Sequence, residues 1–305
     1  MSQQTAPAPL SFAQERETVK QPRLRRFKVE GIVAMTFLFI FSVYFLAPFF
    51  WLIVSSTKNA GDLFNTFGFW FAPNFNLASN LQQLFTYDNG IYVQWVLNTL
   101  LYAGVGAVLG TGLATMAGYA LAKYNFRGRN LIFSVVLGAI LVPATALVLP
   151  LYLLMSKAGL TNTYWSVLLP SIVSPFGVYL SRIYASASIP DELLEAARID
   201  GAGEFRTFAT VAMRLMVPAL VTILLFQFVA IWNNFFLPLV MLSDNKLFPV
   251  TVGLQTWNVT TGGANKFLYT TIVSGALVSS IPLLIGCIFL QRYWRGGLGA
   301  GSVKG

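Results

Sequence analysis

In the stretch Glu195-Ala196-Ala197-Arg198-Ile199-Asp200-Gly201, residue types and spacing spell out a definite kind of chemistry, and it is non-covalent. Ala196 and Ala197 let another surface come within backbone distance, and Glu195 and Arg198 set charges at the margin of that contact. Gly201 supplies the left-handed position that closes a helix in a tight turn. Such a segment is a knob for a groove. Taken alone, it reads equally well as a solvated loop helix held by a Glu195–Arg198 pair at i,i+3.

Groups that make and break bonds are scarce. The chain has no histidine, and its one cysteine, Cys287, can form neither an internal disulfide nor a metal cluster. Acid/base and metal-dependent catalysis need more than that. Gly104, Gly106, Gly110, Gly112 and Gly118 have no preceding strand and no following Lys-Ser/Thr, so they are not a phosphate cradle. Gly106 and Gly110 instead make a small-xxx-small pair of the kind that lets membrane helices approach closely. No enzyme activity and no bound cofactor or metal are expected of this chain.

Around the knob, local signals predict its frame. Ser188-Ile189-Pro190-Asp191-Glu192 offers a hydroxyl cap, an early proline and acids for the positive end of a helix dipole. The helix should run to about Asp200, with a second from about Glu204 to Met213.

What holds this pair of helices is a membrane protein. Only 10% of the residues are charged and mean hydropathy is +0.66, against roughly 25% charged residues in soluble domains. Charges are absent from windows 31–57, 94–122, 131–156, 158–181, 215–243 and 267–291. Each reaches the ~20 residues that a bilayer crossing needs. The windows lack the alternation of barrel strands, so the expected fold is all-α with six transmembrane helices.

The net charge of +9 is distributed by side rather than gathered for nucleic acid. Arg16 to Lys28 precede the first window, Lys123, Arg127 and Arg129 follow the second, Arg182 to Arg214 follow the fourth, and Arg292, Arg295 and Lys304 follow the sixth. Lys58, Lys157, Lys246 and Lys266 are left for the other side. The positive-inside rule then predicts cytoplasmic termini. Residues 1–30 form a partly disordered cytoplasmic tail without signal-peptide features, and 31–57 the first helix. Residues 58–93 form an external loop whose Phe64, Phe67, Phe69, Trp70 and Phe71 suit an interface belt. The core domain spans 94–291 with the cytoplasmic loop 182–214 inside it, and 292–305 is a cytoplasmic tail.

Glu195-Ala196-Ala197-x-x-x-Gly201, placed before the penultimate span, resembles the EAA loop of permease subunits in binding-protein-dependent ABC importers. The family pattern ends apolar-x-Leu-Pro; here Val211-Ala212-Met213-Arg214 has arginine for proline, so the helix should continue before bending near Pro218. Trp232-Asn233-Asn234-Phe235-Phe236-Leu237-Pro238 resembles a segment of carbohydrate permeases. The ending Gly297 to Gly305 resembles the tail of MalG-like subunits of maltose importers.

The resemblance implies the type I ABC importer permease fold in a prokaryotic inner membrane. It implies four kinds of partner: a MalF-like second permease, two MalK-like cytoplasmic ATPases, an external solute-binding protein and a sugar. Glu195, Ala196, Ala197, Asp200 and Gly201 would dock an ATPase, which would use ATP and Mg. Trp232, Asn233 and Asn234, taken as mid-span, would line the path, although an interhelical amide bond is the plainer use of the asparagines. An external loop at Gln255, Thr256 and Trp257 would touch the binding protein.

The windows hold no Asp, Glu, His or Lys to carry a coupling ion, which disfavours a secondary transporter. A six-span channel without ATPase partners stays open on these residues alone. The substrate is legible only as a class.

Overall fold

The computed structural model describes residues 29–261 and 266–300, and these are helical with no strand among them. In chain order the helices are α1 Val29–Ser56, α2 Ala60–Asn65, α3 Leu77–Thr86, α4 Ile91–Lys123 and α5 Arg129–Leu141. There follow α6 Val148–Lys157, α7 Tyr164–Ser171, α8 Pro175–Ser188, α9 Asp191–Ile199 and α10 Glu204–Thr207. The last are α11 Met213–Leu215, α12 Val217–Trp232, α13 Phe236–Met241, α14 Val250–Thr261 and α15 Lys266–Ala300. Two units divide the chain, residues 1–49 and 50–305. In the first, the charge-free part of α1 carries an aromatic ladder, with Phe37 and Phe41 at 4.3 Å and Phe41 and Phe45 at 6.2 Å between ring centroids.

The second unit is built around α4, which packs on α8 and α12. Its glycines set the spacing. A Cβ on Gly118 would lie 2.5 Å from Ser181 Cβ on α8, and one on Gly106 would lie 2.8 Å from Ile231 Cδ1 on α12. The expected small-residue seam is therefore a close helix contact.

One end of α4 anchors the segment 244–250. Trp95 Nε1 donates to Asn245 O at 2.8 Å, Asn98 Nδ2 to Lys246 O at 2.7 Å, and the Val250 amide to Thr99 Oγ1 at 2.8 Å. At the same end the buried Lys58 ammonium donates to Thr66 Oγ1 at 2.9 Å and Phe67 O at 2.7 Å, shaping the loop before α3. The opposite end of α4 receives 189–191. Loops assigned by charge to opposite sides thus gather at opposite ends of the helix.

Among the described residues, four helices are long and apolar enough to cross a bilayer: 31–56, 77–123, 164–188 and 268–289. Two more windows are broken rather than straight. The window 131–156 bends by 101° between α5 and α6. The cause is Val142-Pro143: proline keeps the preceding residue out of the helical region, and Val142 is extended at φ −78°, ψ 122°. The window 158–181 is displaced towards the C-terminus, since helix starts only at Tyr164 and runs on to Ser188. Arg182, taken from sequence as the start of the loop, therefore lies within α8, with its guanidinium 3.5 Å from the centre of the Phe133 ring. The window 215–243 ends its main helix at Trp232 and resumes at Phe236.

The glycine seam makes a directional prediction. Gly118→Leu forces α4 away from α8 and should cost about 1–3 kcal/mol, the range for overpacking. Gly112→Leu, where a new Cβ meets nothing within 4 Å, should be tolerated. Thermal unfolding of the two purified variants checks this, and equal midpoints would contradict it.

Candidate functional site

Helix α9 starts at Asp191 because Pro190 holds φ −64° without being helical itself. Ser188, read as its cap, is instead the last residue of α8, and α9 has no side-chain cap. The start of α9 is held instead from α4, where Lys123 Nζ donates to Ile189 O at 2.6 Å and to Asp191 Oδ1 at 2.7 Å. The C-terminus closes as a Schellman turn: the Ala202 amide donates to Ala197 O at 2.9 Å and the Gly201 amide to Arg198 O at 3.0 Å. Gly201 has φ +76°, the left-handed value expected of it. The helix from Glu204 continues to Leu215 through a π turn at Phe208–Ala212, then bends 82° into α12. The bend falls at Met216, beyond Arg214 and just before Pro218, as the missing proline implied.

Arg198 does not pair with Glu195. It reaches forward across the turn, with Nε to Glu204 Oε1 at 2.8 Å and Nη2 to Oε2 at 3.3 Å, while Tyr124 donates its hydroxyl to the same Oε2 at 2.6 Å. Glu204 lies within reach of both Arg198 and the Tyr124 hydroxyl at the end of α4, whereas no salt bridge to Glu195 occurs among the described residues. The carboxyl of Glu204 is held below the usual carboxylate range by the Arg198 hydrogen bond and then by Tyr124. Asp191 is lowered by its hydrogen bond from Lys123 and by that ammonium's charge. Burial, followed by the bond to Glu204, raises the Tyr124 phenol.

Beneath the turn, Leu194 is buried with Tyr119, Ala185, Ile189, Ala212 and Met216. Outward, Glu195 and Ala196 are exposed, Ala197 is half-buried, and Asp200 and Gly201 are exposed. Glu195 makes no ion pair and lines a cavity of about 330 Å3 together with Lys123, Arg129 and Asp191. The same face displays Ile199, 87% exposed, and Phe205, 77% exposed. These two were not singled out from sequence. Large apolar residues flanking a polar glycine turn were the available signal.

The other candidate residues are not brought together as expected. Trp232 is buried against Phe228 and presents no free face, while Asn233 is exposed and bonded back to Val229 O at 3.0 Å. Asn234 accepts from the Leu237 amide at 3.4 Å, so the amides stop one helix and start the next instead of crossing mid-span. Gln255, Thr256 and Trp257 lie in α14, not in a loop. Trp257 is buried because its ring packs on Trp95 at 4.6 Å and Tyr87 at 5.1 Å, while Gln255 and Thr256 are exposed. The remainder of that expected loop, 262–265, lies outside the described residues, as do 1–28 and the tail's last residues, 301–305.

The family described as "Binding-protein-dependent transport system inner membrane component" matches residues 106–295, which include the whole turn. This chain belongs to that family. The permease is 39% identical to the arabinooligosaccharides transport system permease protein AraQ of Halalkalibacterium halodurans, over 85% of this chain and 91% of that protein. It is 34% identical to AraQ of Bacillus subtilis, over 92% and 98%. A crystal structure of a bacterial ABC transporter that imports the acidic polysaccharide alginate contains a chain with the same fold, at a TM-score of 0.77 and 25% identity over 88% of this chain and 98% of that one. The permease is a multi-pass inner-membrane subunit with the type I ABC importer fold, and it is not itself an enzyme.

The carboxylates give the turn a pH signature. Depressed pKa values contribute stability that is fully present above the ordinary carboxylate range and is lost as pH falls through the lowered values. The protection of the amides at 198–204, taken against the intrinsic exchange rate at each pH, should therefore be high at neutral pH and fall in acid. Glu204→Gln should lower that protection at neutral pH and weaken its acid dependence, the Asp191 share remaining; unchanged protection would show that Glu204 does not hold the turn.

Proposed function

We propose that this permease forms half of a two-subunit pore that takes a sugar or oligosaccharide from an external binding protein and releases it into the cytoplasm. A second permease subunit completes the pore, and two cytoplasmic ATPase subunits drive it with ATP and Mg. Carbohydrate is the solute carried by the relatives named above, and the Trp232–Pro238 segment is of the carbohydrate-permease type. Both termini and the α9–α10 turn face the cytoplasm, in keeping with the basic residues at that end.

The ATPase seats on the turn. Glu195 is its polar anchor, Ala196 and Ala197 allow close approach, and Asp200 and Gly201 set the bend. Ile199 and Phe205 fill an apolar pocket on the partner. The observation that carries this reading is a rigid turn, fastened from behind by Lys123, Tyr124 and Leu194, whose outward face exposes two large apolar side chains and an unpaired glutamate. Such a face is costly to leave in water and suits a partner's groove.

Transport follows as a change between inward-open and outward-open arrangements, with closure of the ATPases moving the turn as a rigid body. Asn233 and Asn234, at the break after α12, are the polar groups placed for a solute path; Trp232 supports them from the core. Gln255 and Thr256 on α14, at the external end, are placed to meet the binding protein.

Affinity purification of the tagged permease should recover a second permease and an ATPase. Glu195→Lys, Ile199→Asp or Gly201→Asp should lower ATPase recovery by about tenfold or more, the scale of losing one anchor residue, while the second permease stays bound. Undiminished ATPase recovery in all three would refute the docking assignment. Recovery of the chain alone would favour a channel.

A further inference from the structure

The end of α4 and the start of α5 hold cations that the protein does not neutralise. Two salt bridges occur among the described residues, Lys123–Asp191 and Arg198–Glu204, and they use the nearest acids that point inward. Arg129 gives Nη1 to Asn125 Oδ1 at 2.8 Å and to Tyr124 O at 3.4 Å, both neutral, and its Nε is buried with no acceptor. Arg182 lies flat on Phe133, and its Nη1 is likewise buried with no acceptor. Phe133 is one turn beyond Arg129 on α5, so Arg182 brings its guanidinium against the same helix a turn further along. A buried charged donor without an acceptor is costly, and a pair of them on one side is an invitation to an anion. Glu195 lines the adjoining cavity but bonds to neither arginine.

Arg129 also lines an open cavity of about 470 Å3 with Asn125, Phe126, Gly128, Asn130 and Leu131. The first turn of α5 contains no acid and its N-cap, Gly128, offers no side-chain acceptor, so the positive end of the helix dipole adds to the arginine charges. Directly beyond the cavity, Leu131 is 71% exposed and Val135, one turn further along the same face, is 65% exposed. A pocket for negative charge thus runs without a break into an uncovered apolar strip. A soluble anion would use only the first half, and an apolar helix only the second; an amphiphile uses both.

We propose that this corner binds an anionic phospholipid of the cytoplasmic leaflet, with its phosphate against Arg129 and Arg182 and an acyl chain along Leu131 and Val135. The inference rests on this being the cytoplasmic end of the permease. Basic pockets between membrane helices on that side are suited to such headgroups. The lipid would complete the charge balance of the corner beside the docking turn.

The test uses the intact permease, with whatever subunits accompany it, in nanodiscs of phosphatidylcholine with phosphatidylglycerol, and native mass spectrometry to read which lipid stays bound. Wild type should retain phosphatidylglycerol preferentially. Replacing both Arg129 and Arg182 by Gln should cut the preference by about 25-fold, the worth of two arginine charges at an anionic surface. Arg214→Gln, the same kind of charge loss at an exposed position elsewhere, should leave it intact. Leu131→Gln keeps both arginines and should weaken retention of the diacyl lipid, which guards against misfolding of the double variant. Equal retention in wild type and both site variants overturns the proposal, as does complete displacement of the lipid by inorganic phosphate. Loss of the ATPase from the preparation would count against the importer reading and leave this ratio unaffected.

Discussion

Gly118 and Ser181 bring the backbones of α4 and α8 so close that no side chain fits between them, and the arrangement of the α9–α10 turn depends on that contact. Because α8 lies against α4 there, its end at Ser188 is delivered to the end of α4, where Lys123 can reach Ile189 O and Asp191. The start of α9 is then fixed by a charge from another helix rather than by its own cap. Apolar burial alone would permit α8 to slide along α4, since lipid is as good a solvent for leucine as protein is. A glycine contact has one register.

From that fixed point the turn is fastened by polar groups that are exposed to water yet directional. Surface ion pairs are individually weak, commonly under about 1 kcal/mol. Their value here is geometric. Arg198 and Tyr124 converge on a single carboxylate, which ties the two helices of the turn to each other and to α4 at once. This carboxylate clasp stiffens the turn while Arg198 and Glu204 stay in water, the one buried charge being Lys123 beneath. On the proposed reading, a stiff element is what a partner ATPase needs in order to move a membrane helix.

Much of this was legible in the sequence where the causes are local. Charge-free windows mark the apolar helices because a bilayer penalises charge irrespective of fold, and the Schellman turn was readable because Gly201 must adopt positive φ whatever surrounds it. The breaks were less so. Pro143 and the Asn233-Asn234 pair are tolerated within membrane helices as often as they end them, and only the packing decides. Sequence spacing allows Arg198 to pair with Glu195 at i,i+3, whereas Glu204 is favoured by Tyr124, eighty positions away. Trp257 reads in sequence as a loop residue, whereas it lies within α14 with Trp95 and Tyr87 packed on its ring.

The 82° bend at Met216 turns α10–α11 and α12 into a bell crank. A push along the arm does not drive α12 through the bilayer; it tips it. With sixteen residues, α12 is about 24 Å long, so tilting its base by ~5° carries its far end roughly 2 Å sideways. That far end is Asn233, where the helix is interrupted. On the proposed reading, small angular work done by the ATPase would thus be converted to lateral opening at the depth of the break, with no need for any helix to slide along its axis.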